Sequence, residues 1–376
     1  MKGLIDMRNA LEYLMFANIL DTRQQSKVKY KLNEIIGIAF MALLGNADDF
    51  HKIEAFGKHY EEDLREYFEL ENGVPSHDTY ERVFAMFSPK FLEYFQARFV
   101  ELLNNNEGEK IKKILAIDGK TQCGNKTSKQ KANHIVSAVD ENGFCLGQIK
   151  VDDKSNEITA IPNLLDNLNI KGHIVTTDAM GTQRDIARKI RLKRADYVLA
   201  LKGNQHSFYD DVKLYFEDEN LLKECTKYRT IEKARGGVEV REYWQTDDVS
   251  WLTQKEKWAG LKSIAMTRNT ITKNGHTTQE TRFFISSLKP DVQQIAKAIR
   301  KHWMVESYHH HLDVTFREDD NKTIDKQAAY NLNVLRKLAI NTLKLLDVGK
   351  KGASMNLKRY IISLNPVVHF AKIMEI

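Results

Sequence analysis

The sequence predicts an α/β protein, a mixed sheet flanked by helices, with an all-helical region in front of it and a β-rich insertion before its last sheet-covering helix. Three observations predict this. Residues 31–103 repeat apolar side chains at three- and four-residue spacing and show no strand pattern. From 113 to 202, short apolar runs first follow one another and then alternate with helical stretches, as in a sheet covered on its faces. After Pro290 the helical period returns.

The helical region reads as KLNEIIGIAFMALLG (31–45), FHKIEAFGKHYEEDLREYFEL (50–70), DTYERVFAMF (78–87) and PKFLEYFQARFVELL (89–103). Gly45-Asn46 and Asn72-Gly73-Val74-Pro75 end the first two. Ser76 or Asp78 caps the third, and Ser88-Pro89 opens the fourth. We assign residues 1–108 to an N-terminal helical domain, either a helix-turn-helix DNA reader or a packing and dimerisation module. Asn104–Lys110 is a polar linker.

The strands KILAID (113–118), HIVSAVD (134–140) and FCLGQIKVD (144–152) come next, separated by turns. A helix over 156–168, the strand HIVTTD (173–178), a helix over 181–193 and the strand YVLALK (197–202) continue the pattern. A helix over 208–220 leads into the insertion, placed at about 221–290. There REYWQTDD precedes LKSIAMTRN and ETRFFISSL, the last two joined by a Lys273-Asn274-Gly275 hairpin turn. DVQQIAKAIRKHWMVES (291–307) and KQAAYNLNVLRKLAINTLKLL (326–346) are helices. The α/β domain with its insertion is assigned to 109–345. A basic segment, 346–376, carries Lys350, Lys351, Lys358 and Arg359.

Composition narrows the function classes. A chain of 376 residues with 42% hydrophobic and 29% charged content is globular. No window offers the roughly eighteen uncharged apolar residues of a membrane span. Three widely spaced cysteines (Cys123, Cys145, Cys225) argue for reduced thiols and a cytoplasmic location. Residues 1–110 hold 13 Lys and Arg against 19 Asp and Glu, whereas the remainder holds 44 against 32. Contacts to a polyanion therefore belong downstream of residue 110.

Two strands are uniformly apolar until they end in a carboxylate, at Asp118 and Asp178. Ligands of α/β sheets bind beyond the carboxyl ends of strands, so the backbone itself delivers these two acids to a site. If the strands are neighbours, a divalent cation is the ordinary way to hold the two charges together. A third ligand is available in KHWMVESYHHHLDVTFREDD (301–320). Either Glu306 joins the two Asp as an oxygen ligand, or His302, Glu306 and a histidine at 309 or 310 grip zinc. Neither HExxH nor HxxEH is present.

Ten stretches resemble one family in order along the chain: GVPSHDTYERVF, LAIDGKT, HIVSAV, KSNEITAIPNLL, IVTTDAMGTQ, YVLALKGNQ, RFFISSL, HWMVES, LDVTFRED and NLNVLRK. They are similar to the DDE transposases of bacterial insertion sequences, in particular the H-repeat-associated, ISAs-type group. The resemblance implies an RNase H-like core and DNA transposition: metal-dependent cleavage at element ends, then strand transfer. By motif it places the catalytic and metal-ligating acids at Asp118, Asp178 and Glu306, with two Mg²⁺ or Mn²⁺ ions as cofactors. Broader relatives carry Tyr, Arg and Lys at set offsets around that Glu, where this chain has Ile299, His302 and Asp313. Lys120, Lys154, Lys202 and His302 are the expected DNA contacts. The implied partners are double-stranded DNA (terminal inverted repeats and target) and a second copy of the chain, in the nucleoid. The alternatives are a catalytically silent DNA-binding relative and an RNase H-like nuclease without strand transfer.

Overall fold

The computed structural model of the protein describes residues 21, 23–105, 114–128, 130–152, 156–234 and 236–369. Five helices come first: α1 (Leu32–Leu44), α2 (Phe50–His59), α3 (Glu61–Leu64), α4 (His77–Met86) and α5 (Pro89–Asn105). The run 50–70 therefore breaks at Tyr60 instead of forming one helix. The break turns Leu64 and Phe68 inward, where both are buried. Asp49 caps α2 by accepting from the Lys52 N–H at 2.8 Å.

The sheet has nine strands: β1 (Ile114–Thr121), β2 (His134–Asp140), β3 (Cys145–Lys150), β4 (Ile174–Thr177), β5 (Asp196–Leu201), β6 (Thr226–Ala234), β7 (Gly237–Thr246), β8 (Ser263–Lys273) and β9 (His276–Ser286). Their spatial order is 3-2-1-4-5-9-8-7-6. Strands β1, β4 and β5 are parallel and β2 runs against its neighbours, so the first five form the RNase H-like arrangement. The insertion is not a separate sheet. It continues the same one through the antiparallel β5–β9 pair.

The β8–β9 hairpin turns at Asn274 and Gly275, both at positive φ (52° and 78°), as a tight two-residue connection requires. Strand β6 was not legible in TKYRTIEKA. It is the sheet's last strand, so only one side is paired, and its outward side chains are polar or exposed. An edge strand of this kind carries little of the apolar signal by which strands are recognised.

Helices α6 (Glu157–Asp166), α7 (Arg184–Leu192) and α8 (His206–Glu217) share a core with Leu115, Ile117, Val136 and Ala138 of the sheet. The short helix α9 (Glu219–Glu224) leads into β6. The other face meets α10 (Val292–His310) and α11 (Lys326–Leu345), and the chain continues into α12 (Met355–Leu364). Helix α11 is buried all round from Ala328 to Leu343, with the N-terminal helices against it and the sheet beyond. A helix in that position must satisfy its polar side chains internally. Asn331 donates to the Phe84 carbonyl (2.7 Å), Lys337 to Ser137 Oγ (2.6 Å) and Asn341 to the Cys145 carbonyl (3.0 Å). No helix among the described residues is long and apolar enough to cross a membrane.

Candidate active site

Strand alternation and register assemble the site. Ile114 and Ala116 of β1 point toward the face covered by α10 and α11, opposite Ile174 and Thr176 of the parallel neighbour β4. The next positions on that face are Asp118 and Asp178, at the carboxyl ends of adjacent strands. The helix supplies the third acid by its own period. Ile295 and Ala298 pack on Ile114, Ile174 and Val198. One and two turns further lie His302 and Glu306.

Asp118, Thr176, Asp178, Lys202, His302 and Glu306 line one cleft of about 700 Å³. Burial pushes the Asp118 carboxyl up to about 7, the Gly119 N–H draws it down, and Asp178, Glu157 and Glu306 raise it by repulsion. Burial also raises Glu306, against the pull of Arg282. Asp178 Oδ1 accepts from the Gly181 N–H at 3.0 Å. Among the described residues, no three His, Cys, Asp or Glu side chains stand at metal-ligand spacing.

The histidines go separate ways. His302 Nδ1 meets Thr176 Oγ1 at 3.0 Å, and burial, with Arg282 nearby, pushes this imidazole down to about 4. It is neutral at pH 7, so it can meet a phosphate only as a hydrogen-bond donor. His309 Nδ1 lies 3.7 Å from Asp118 Oδ2, and burial pushes it to about 3. His310 is exposed, and His311 Nδ1 faces Thr315 Oγ1 at 3.3 Å. The imidazole set weighed for zinc does not converge.

The three lysines differ as well. Lys202 is exposed on the cleft. Lys154 lies outside the described residues. Lys120 is mostly buried, its ammonium between Asp313 (2.6 Å), Asp319 (3.1 Å) and Glu318 (3.2 Å).

The sequence reading missed several residues of this cleft. Arg282 lies over the half-exposed indole of Trp303, 5.2 Å from its ring centre, at the cleft wall. Behind Asp118, His134 Nε2 and Glu157 Oε1 are 2.6 Å apart, and His134 Nδ1 meets Thr121 Oγ1 at 2.9 Å. This pair packs on Gly119: a Cβ there would come within 2.2 Å of Glu157 Oε1 and 2.5 Å of His134 Nε2. A side chain at this position would have to displace the His134–Glu157 pair, a signal in IDGK that becomes readable only when the partner is known. Gly119→Ala is expected to displace the His134–Glu157 pair beside Asp118 and to lower the metal-dependent cleavage that the family resemblance implies by about 10- to 100-fold, as changes in the shell behind a ligand do. Single-turnover rates check this, and an unchanged rate would show the contact to be slack.

The Transposase DDE domain profile matches residues 109–342, and the DDE_Tnp_1-associated profile matches residues 13–100. The chain belongs to the DDE transposase family. Similar proteins include the "H repeat-associated putative transposase YhhI" of Escherichia coli K12, 36% identical, with 96% of this chain and 97% of that protein covered. "Putative transposase YncI" of Escherichia coli O157:H7 is also 36% identical, over 96% of this chain and 93% of its own length. A third, named "Inactive transposase YbfQ" from Escherichia coli K12, is 33% identical over only 21% of this chain, with 92% of its own length covered. The transposase profile spans both strand-end aspartates and Glu306 of this DDE-family chain.

Proposed function

We propose that the chain cuts DNA at the ends of its own mobile element and joins the freed 3′ ends to target DNA, with Asp118, Asp178 and Glu306 holding two Mg²⁺ or Mn²⁺ ions. One observation carries this reading. Two aspartates end adjacent parallel strands on the same face, and the helix packed on those strands brings a glutamate into their cleft; the three carboxylates stand wider than metal-ligand spacing, and bound cations would draw them in. The donor set is all oxygen, which suits a hard cation. Burial raises the Asp118 carboxyl most, repulsion from Asp178, Glu157 and Glu306 adds to it, and a bound cation relieves that repulsion. When bound, the ions supply Lewis-acid activation of the attacking oxygen and stabilisation of the leaving one.

The chain's own groups do the rest. His302, held against Thr176 Oγ1 through Nδ1 at 3.0 Å, lines the cleft where the DNA would lie. Lys202 and Arg282 place positive charge on the cleft, where a DNA backbone would need it. Synapsis of two ends calls for a dimer on DNA, with residues 1–108 as a region that holds ends or partner; of the basic segment 346–376, Lys350 and Lys351 are exposed, whereas Lys358 and Arg359 bond within the protein. The working compartment on this reading is the nucleoid.

The test uses a labelled duplex copied from the DNA flanking the gene, a plasmid target and Mg²⁺. Joined product is the expected result. Nicks without joining mean a nuclease, and retention of the duplex with neither product means a silent DNA-binding relative.

A further inference from the structure

We infer that Lys120 is a positioning residue, whose ammonium clamps the turn after the Glu306 helix onto the strand that carries Asp118. The catalytic half of this inference rests on the function proposed above. Lys120 lies two residues past Asp118 on β1, hence on the same face of the strand. Its three carboxylate partners all belong to the segment that leaves α10. Asp313 sits in a π-type turn, His311–Thr315, closed by the Phe316 N–H on the His311 carbonyl at 3.0 Å. Glu318 and Asp319 follow directly.

Both halves of the clamp are anchored. Glu318, itself 1% exposed, accepts from Asn333 Nδ2 of α11 at 2.6 Å and from Gln122 Nε2 at 3.2 Å, and Arg336 lies 3.6 Å away. Asp319 Oδ1 accepts from the Cys123 N–H at 3.0 Å. Residues 120–123 and 313–319 therefore form one polar joint, with the lysine at its centre. The ammonium is ion-paired with three carboxylates at 2.6–3.2 Å and also donates to the Thr121 carbonyl at 3.4 Å, so its charge is directed into this joint and away from a DNA phosphate. Without the cation, three acids at close range would repel one another and the turn would move. Glu306 is on the helix that feeds this turn, so its distance from Asp118 depends on the joint.

Lys120→Met and Asp313→Asn in the full-length chain test the idea. Three quantities are measured: anisotropy of the labelled flanking duplex, single-turnover cleavage in Mg²⁺, and hydrogen exchange of the backbone over residues 303–316. Both variants are expected to keep duplex affinity, lose about 10- to 100-fold in cleavage rate as outer-shell changes do, and exchange faster over 303–316. A general loss of stability would speed exchange throughout the chain and leave the folded protein's rate alone, which would overturn the positioning role. Weaker duplex binding by Lys120→Met, with Asp313→Asn unaffected, would make Lys120 a phosphate contact instead. If the unaltered chain neither binds nor cuts the duplex, the proposed function fails. Exchange then still decides the clamp: faster over 303–316 sustains it, unchanged ends it. Should Lys120→Met not fold, the milder Asp313→Asn carries the same measurements.

Discussion

Glu306→Gln and Asp178→Asn are each expected to lose at least about 1,000-fold in Mg²⁺-dependent strand cleavage, some 4 kcal/mol of transition-state stabilisation, while still binding end DNA. Both changes remove a charge and keep the shape. Gln matches Glu in volume, so the replacement at 306 leaves no cavity. At position 178 an amide oxygen can still accept from the Gly181 N–H, now at 3.0 Å from the carboxylate. Each substitution also removes one of the negative charges that raise Asp118. Thermal stability without metal should therefore hold or rise slightly. Mg²⁺ should raise the Tm of the unaltered chain and do so less in the variants, since a ligand that binds only the folded state stabilises it by mass action. Full cleavage by either variant would remove that acid from the mechanism.

Arg359→Met is expected to cost about 3–5 kcal/mol of folding stability, the range for breaking one side of a buried ion pair. Arg359 is fully buried, and its Nη2 lies 2.6 Å from Oδ1 of the nearly buried Asp48. The same guanidinium donates to the Leu43 carbonyl through Nε (3.1 Å) and Nη2 (2.7 Å), and to the Thr315 carbonyl through Nη1. Its plane rests on the Phe316 ring, 4.0 Å from the centre. One side chain of α12 thus ties the N-terminal helices to the turn beyond Glu306. Met fills the volume and satisfies none of these groups. Urea unfolding measures the loss, and the double variant with Asp48→Asn should lose less than the two singles summed, because the orphaned charge is gone. A loss below about 1 kcal/mol would mean that water replaces the arginine.

Much of the site was legible because strand ends are written in local pattern. ILAID and IVTTD are apolar until the acid, and the strand must stop where the burial stops. HWMVES reads as helix, and its spacing puts Glu306 one turn past His302. Whether the strands were neighbours was not legible, because register and order depend on contacts between residues some sixty positions apart. The surroundings of Lys120, expected from the sequence to contact DNA, show the same limit from the other side. Its partners lie nearly 200 positions downstream, at 313, 318 and 319. Strand β6 escaped notice because an exposed edge has little apolar period to detect.

The sequence by itself determined most of the element types, the β-rich insertion and the family. Hydrophobic period, turn residues and motif order are local properties that survive without coordinates. The tertiary structure alone decided that α11 runs buried on every side, so that Arg336 and Lys337, which look like a solvated stripe in NLNVLRK, sit at 1% exposure. It also decided that the insertion extends the central sheet and that Asp118, Asp178 and Glu306 share a cleft. These outcomes turn on which faces meet, and a chain's local pattern states that a face is apolar without stating what will cover it.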